Sequence, residues 1–231
     1  MGHAADHLVL FDIDGTLLRT EGVGVAAMLR AFAMLHGEQG FSFEGVEIAG
    51  ALDGLLFARM MERHGLPADP STHERFQRLY GDELARSLTP ERVRRMPGTD
   101  ALVTALRDAG AAVGLLTGNY EHTAHTKIRT AGFDVAHFPF GAFGADGPSR
   151  RHLTPVAIAR AASHHGRTFD PSRVTIIGDT PHDIDCAKAH GCRAIGVGTG
   201  PYAPDRLHAC GADLAVGDLS DVVAVSRWIL G

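Results

Sequence analysis

Two aspartates, Asp12 and Asp14, stand two residues apart where the apolar run Val9-Leu10-Phe11 stops. Two other apolar runs end in the same way. Gly114-Leu115-Leu116 leads into Thr117-Gly118-Asn119, and Val174-Thr175-Ile176-Ile177 leads into Gly178-Asp179-Thr180-Pro181-His182-Asp183. Four carboxylates gathered at one place repel one another and raise each other's pKa unless a cation neutralises them. A hard divalent ion that takes oxygen ligands, Mg²⁺ above all, meets that need. Acids around such an ion, with a threonine hydroxyl and glycine amides beside them, suit a phosphoryl group. One carboxylate can attack phosphorus, giving an acyl phosphate that water hydrolyses, and a second can move the proton.

For these groups to meet, the runs that carry them must be strands of one sheet. Residues 8–11, 112–116, 174–177 and 194–197 read as buried strands, with 213–216 a weaker fifth. Helical patterns lie between them. Thr99 is expected to cap a helix through Ala109 with Gly110 as its stop, and 120–131 ends at Gly132. Thr154-Pro155 is expected to open a helix that stops at Gly166, and Thr180-Pro181 one that stops at Gly191. This alternation predicts an α/β fold with a Rossmann-like parallel sheet, in which ligands bind beyond the carboxyl ends of the strands. Residues 20–95 break the alternation and read as helix only. The expected organisation is therefore an α/β core of residues 1–19 and 96–231 with an all-helical domain of residues 20–95 inserted.

The chain of 231 residues, 45% of them hydrophobic, is long enough to bury a sizeable core. Its formal charge of −5 comes from interspersed residues without a long run of one sign, so neither nucleic acid nor an acidic membrane is an expected partner. Cys186, Cys192 and Cys210 are odd in number and contain no C-x-x-C pair, which disfavours a disulfide framework and a zinc knuckle. The opening MGHAADHLVLFD lacks the basic start and long apolar stretch of a secretory leader, and no run approaches about 18 apolar residues. The expectation is a cytoplasmic protein, with its oligomeric state left open.

FDIDGTLL, LLTGN and IIGDTPHDI, in that order, resemble motifs I, II and IV of the haloacid dehalogenase (HAD) superfamily. The helical insertion after the first motif is similar to the C1 cap of its phosphoglycolate phosphatase-like members. The resemblance implies Asp12 as nucleophile and Asp14 as general acid/base. It also implies that Thr117 holds the phosphoryl oxygens, helped by amides around Asp14 and Gly118, with Asn119 beside them. Mg²⁺ would be bound by the Asp12 carboxylate, the Asp14 carbonyl and Asp179. Asp183 would be a ligand or the partner of one, although an acid three residues into a helix is also favoured there by the helix dipole.

The superfamily's third motif is usually a lysine, and this chain has two, Lys127 and Lys188, neither where that motif is expected. In GADGPSRRHLTP the candidate replacements are Arg150, spaced three before Leu153, and Arg151 as a contact to substrate. Residues 20–95 contain no lysine for the Schiff base of a phosphonatase, and Asp14 favours phosphoester over halide chemistry. Within the inserted helices the polar residues Glu21, Arg30, Asp53 and Arg59 are candidates for contacting substrate, Asp53 foremost because Gly50-Ala51-Leu52-Asp53 partly matches a segment of related capped enzymes.

Several features have blander readings. Gly22-Val23-Gly24 imitates a dinucleotide fingerprint but lacks a strand directly before it. His122, His125, His164 and His165 read as solvated helix residues, and His182 lies beside Asp179. The expected function is a Mg²⁺-dependent phosphatase acting through an aspartyl phosphate on a small phosphorylated metabolite. The rivals are a phosphomutase of the β-phosphoglucomutase type and a non-catalytic phosphate-ligand binding protein.

Overall fold

The computed structural model describes residues 4–37 and 40–231; the first residues of the expected core, 1–3, lie outside that range. In chain order the elements are β1 (Leu8–Phe11), β2 (Leu18–Arg19), α1 (Val23–His36), α2 (Asp53–Arg63), α3 (Pro70–Ser87), β3 (Arg94–Arg95), α4 (Thr99–Asp108), β4 (Ala112–Leu116), α5 (Glu121–Thr130), β5 (Gly141–Ala142), α6 (Arg150–His165), β6 (Val174–Gly178), α7 (Pro181–Lys188), β7 (Arg193–Val197), α8 (Pro204–Ala209), β8 (Leu214–Val216) and α9 (Val222–Leu230). Among the described residues six strands form one parallel sheet in the order β5-β4-β1-β6-β7-β8. The chain passes from β1 to β4 on one side and returns to β6 on the other, so β1 marks the switch in strand order where a crevice opens. Asp12, Thr117 and Asp179 each follow the last residue of one of these three strands.

Side-chain alternation along the strands explains the two layers of helices. Val9 and Phe11 of β1, with Val113 and Leu115 of β4, pack with residues of α4, α5 and α9 such as Leu106, Ile128 and Ile229. Leu8 and Leu10, with Ala112 and Leu116, pack on the other face with Leu153 and Ala157 of α6 and Ile184 of α7. A sheet covered on both faces demands apolar residues in both phases, which is why the strands read as continuous apolar runs.

The predicted strands are present, with β8 beginning at Leu214 rather than 213, and the two-residue β5 is an addition too short to leave a periodic signature. Two helix starts differ from expectation. Thr99 is the first residue of α4 rather than its cap: Gly98 precedes the helix at φ 78°, and the Thr99 hydroxyl donates to the Met96 carbonyl at 2.9 Å. Helix α6 begins at Arg150, a turn before Thr154, so Pro155 lies inside it. Proline there has no N–H for the carbonyl of Arg151 four residues earlier. His190 supplies the missing partner, with its Nε2 2.7 Å from that oxygen.

Between β2 and β3, which pair antiparallel through Leu18↔Arg95 and Arg19↔Arg94, the chain makes α1, α2 and α3. These helices gather their own apolar cluster. Phe32 lies at its centre, with ring centroids 4.3 Å from Phe76, 5.4 Å from Phe41 and 6.1 Å from Phe57. Phe32→Ala is expected to cost about 3–5 kcal/mol within this cluster. Hydrogen exchange should then show lost protection in α1–α3 while β1, β4 and β6 stay protected.

Candidate active site

At the carboxyl end of β1, Asp12 is buried, and its backbone N–H donates to the Ile177 carbonyl of β6 at 2.9 Å. Asp179 at the end of β6 and Asp183 in the first turn of α7 are also buried, and one carboxylate oxygen of each lies within 4.8 Å of one from Asp12. Burial pushes the Asp12 carboxyl up to about 6; the Arg150 guanidinium opposes this, while the charges of Asp183 and Asp14 add to it. Asp179 is pushed higher, to about 8, by burial and then by Asp12 and Asp183. Among the described residues its one hydrogen-bond donor from a side chain is Thr16, whose hydroxyl lies 3.2 Å from Oδ1.

Arg150 faces these acids from the first turn of α6. Its Nη2 lies 2.8 Å from Asp12 Oδ1 and also donates to Asp183 Oδ1, while Nη1 donates to the Gly50 carbonyl at 3.2 Å. The early start of α6 is what carries Arg150 on a helix into the site. Asp183 is fully engaged: its other oxygen accepts from the Thr180 N–H at 3.0 Å and the Thr180 hydroxyl at 2.6 Å, a capping box that fixes the start of α7. When all three are ionised, three buried carboxylates facing one guanidinium are short of positive charge by two. That deficit matches a divalent cation, and the oxygen-only donor set matches a hard one.

A second ionic cluster lies beside the first. Asp14, less buried than Asp12, accepts at Oδ2 from Asn119 Nδ2 at 2.8 Å and from Lys127 Nζ at 2.6 Å. Lys127 also donates to Asn119 Oδ1 at 2.6 Å, and Asn119 Nδ2 lies 2.8 Å from the Thr117 hydroxyl oxygen. The sequence reading passed over Lys127, ten residues beyond Thr117. A signal was there: on α5 the buried residues are Thr123, Ala124, Lys127 and Ile128, so the lysine interrupts the inward stripe of a helix that starts beside Thr117-Gly118-Asn119. A lysine at such a place must find a buried partner.

The inserted helices dock on this edge through residues 50–53. The Asp53 N–H donates to the Gly118 carbonyl at 2.8 Å, and Asp53 Oδ2 accepts from the Tyr120 N–H at 2.9 Å. Gly118 is required there because a Cβ would stand 2.0 Å from the Ala51 carbonyl oxygen. Between the helices and the sheet edge lies a cavity of about 510 Å³, whose wall includes Asp12, Asp14, Asp53, Thr117, Gly118, Asn119, Lys127, Arg150 and Asp179.

The other candidates fall elsewhere. Arg151 is exposed and forks to Asp185, its Nε 2.7 Å from Oδ2, because the residue after Arg150 points about 100° away around α6. It does not line the cavity. Arg30 pairs with Glu83 at 2.8 Å and Arg59 is exposed, whereas Glu21 lines the cavity. His122 lies 3.1 Å from the Gln77 carbonyl, and His182 is 3.9 Å from Glu47.

Asp53 offers a direct check on this packing. Burial pushes its carboxyl from 3.8 up to about 7, with Lys127 acting in the opposite direction. A folded-state value above the unfolded one means that the folded protein holds an extra proton between about pH 4 and pH 7. It therefore loses stability as pH rises through that window. Asp53→Asn removes the loss, and its Tm should exceed that of the wild type by at least about 2 °C at pH 8 but not at pH 4.

Comparison with known proteins agrees with this geometry. Residues 9–188 match the haloacid dehalogenase-like hydrolase family. The bifunctional riboflavin kinase/FMN phosphatase of Arabidopsis thaliana is 25% identical over 95% of this chain, which spans 55% of that protein. A phosphoglycolate phosphatase of Mesorhizobium japonicum is 25% identical, with 84% of this chain and 83% of the relative covered. Among solved structures, a hydrolase from Pseudomonas syringae superposes with a TM-score of 0.72 at 20% identity, over 96% of this chain and 99% of that one. With the acid pair after β1, the threonine after β4 and the acids after β6 at one sheet edge, and with the family match spanning all three, the chain belongs to the haloacid dehalogenase-like hydrolases.

Proposed function

We propose that this protein is a Mg²⁺-dependent phosphatase that hydrolyses a small phosphomonoester, with residues 20–95 serving as a cap over a core of residues 1–19 and 96–231. The observation that carries the reading is the buried group Asp12, Asp179 and Asp183, countered among the described residues by Arg150, with Asp12 and Asp179 on the floor of the cavity. Relatives named as phosphatases lend it support.

Asp12, Asp179 and the Asp14 carbonyl would hold Mg²⁺, with Asp183 positioning Arg150 and α7 rather than offering a free oxygen. The bound ion supplies charge stabilisation for the phosphoryl oxygens. In the first step an Asp12 carboxylate oxygen forms a bond to phosphorus as the ester P–O bond breaks, and Asp14 delivers a proton to the leaving oxygen. In the second, Asp14 takes a proton from water as that water attacks phosphorus, releasing inorganic phosphate and restoring Asp12. The Thr117 hydroxyl and the amide near Gly118 face the phosphoryl oxygens, and Arg150 balances charge at Asp12. Lys127 and Asn119 hold the Asp14 carboxylate against the cavity wall. Asn119 also joins Asp14 to Thr117, so the groups that move the proton and grip the phosphoryl are set by one side chain.

The test is phosphate release from an aryl phosphate as a function of Mg²⁺. Activity is expected to vanish with EDTA and to fall at least about 10³-fold in Asp12→Asn. Lys127→Met, which frees the Asp14 side chain without touching Asp12, should lower kcat by about 10-fold to 100-fold. Mg²⁺ should also raise the Tm of the wild type, and by less in Asp179→Asn. Absence of phosphate release from every ester tried, with Mg²⁺ stabilisation intact, would instead favour a phosphate-ligand binding protein.

A further inference from the structure

The cavity has two unlike halves. Its floor carries the charged groups described above, whereas its cap side includes the apolar Val25, Met28, Phe43, Ile48, Leu56 and Tyr80. Met28, Leu56, Phe43 and Tyr80 are each less than a tenth exposed, so they are held in place by the cap's apolar cluster. A cavity of about 510 Å³ is far larger than a phosphoryl group needs and falls in the range that encloses a whole small organic molecule. The part of a substrate beyond its phosphate must therefore lie against this wall.

What the wall lacks is a cation. Among the described residues lining the cavity, the positive side chains are Arg19, Lys127 and Arg150. Arg150 is taken up by Asp12 and Asp183, and Lys127 by Asp14 and Asn119. Arg19, on β2, donates to the Thr199 carbonyl beyond β7, on the core side. The remaining charged groups near the cap are the acids Glu21 and Asp53. A leaving group bearing a carboxylate or a second phosphate would thus be desolvated against methyl, thioether and aromatic surface with acids nearby, which is unfavourable. A polyhydroxylated sugar would find a hydroxyl partner at Tyr80 alone among the six side chains, with Glu21 and Asp53 beside them.

We propose that the substrate is a phosphate monoester of an uncharged, predominantly apolar alcohol, alkyl or aryl, whose hydrocarbon part packs on the Met28, Phe43, Leu56 and Tyr80 wall. This rests on the phosphatase reading and narrows it to a substrate class that the core residues alone do not select, since they meet only the phosphoryl group.

The experiment is a series of n-alkyl phosphates from methyl to hexyl, with 2-phosphoglycolate and glucose 6-phosphate as charged and polyhydroxylated counterparts, run with Mg²⁺ on the wild-type protein. The expected result is a rise in kcat/KM of about threefold to fourfold for each methylene that enters the wall. 2-Phosphoglycolate should fall at least 10-fold below ethyl phosphate. Leu56→Ala is expected to flatten the rise, and Met28→Lys to raise 2-phosphoglycolate relative to hexyl phosphate. A flat series, or a preference for 2-phosphoglycolate or glucose 6-phosphate, overturns the proposal and leaves the phosphatase reading standing. The same esters are titrated calorimetrically onto Asp12→Asn in the presence of Mg²⁺. If no ester is hydrolysed by the wild type yet Kd falls with chain length, the apolar site stands and the phosphatase reading fails. If neither rate nor Kd depends on chain length, the apolar site is refuted.

Discussion

Crowding three carboxyl groups into a buried corner at the end of a parallel sheet is the constraint on which this structure depends. Asp12, Asp179 and Asp183 lie within ligand distance of one another and are nearly without solvent. In such a place each ionised carboxylate raises the cost of the next, which is why burial and mutual repulsion push Asp12 to about 6 and Asp179 to about 8. A chain selected only for stability would fill this corner with apolar side chains. Holding the acids there requires local compensation: a guanidinium from α6, a capping box at α7, and a remaining charge deficit that a divalent cation matches.

That compensation reaches well beyond the three acids. Arg150 can meet them because α6 starts four residues before Thr154, and His190 lies at the carbonyl for which Pro155 has no N–H. Arg150 also reaches across to the Gly50 carbonyl, so the group that balances the three acids is bonded to the loop through which the inserted helices dock. The same loop passes so close to Gly118 that no side chain fits between them. Charge balance in the core and seating of the cap are therefore joined through Arg150 and residues 50–53. Lys127 extends the pattern, linking Asp14 to Asn119 and through it to Thr117.

The division of labour in the cavity follows from the same topology. The sheet edge offers strand ends and backbone amides, which suit charge. Helices α1–α3 gather an aromatic and aliphatic cluster that Tyr120 joins from the start of α5, and the wall they turn toward the site continues that cluster. Polarity on the floor and most of the hydrocarbon above it thus come from two different clusters meeting at one surface.

Much of this was legible in the residues. Strands buried on both faces must be apolar in both phases, and a polar group at the end of such a run must lie at the sheet edge; Asp12, Asp14, Thr117 and Asp179 were therefore placed by local pattern alone. The helix-only stretch between β2 and β3 was equally plain from its periodicity. Other features depended on contacts between segments far apart in the chain. A proline preceded by threonine marks a helix start locally, whereas α6 begins four residues earlier, with His190, 39 residues away, at the Arg151 carbonyl that Pro155 leaves without a partner. Choosing between Arg150 and Arg151 needed the rotation of α6 against β1, which turns one toward Asp12 and the other toward Asp185. Lys127 does not lie where the third motif is expected, and only the packing of α5 brings it to Asp14, 113 residues away. The sequence by itself determined the kinds of groups and the strand ends that carry them, because alternation and burial are local. Only the tertiary structure decided which cation faces which acid and what lines the cap wall, because those pairings are made across space between separately formed elements.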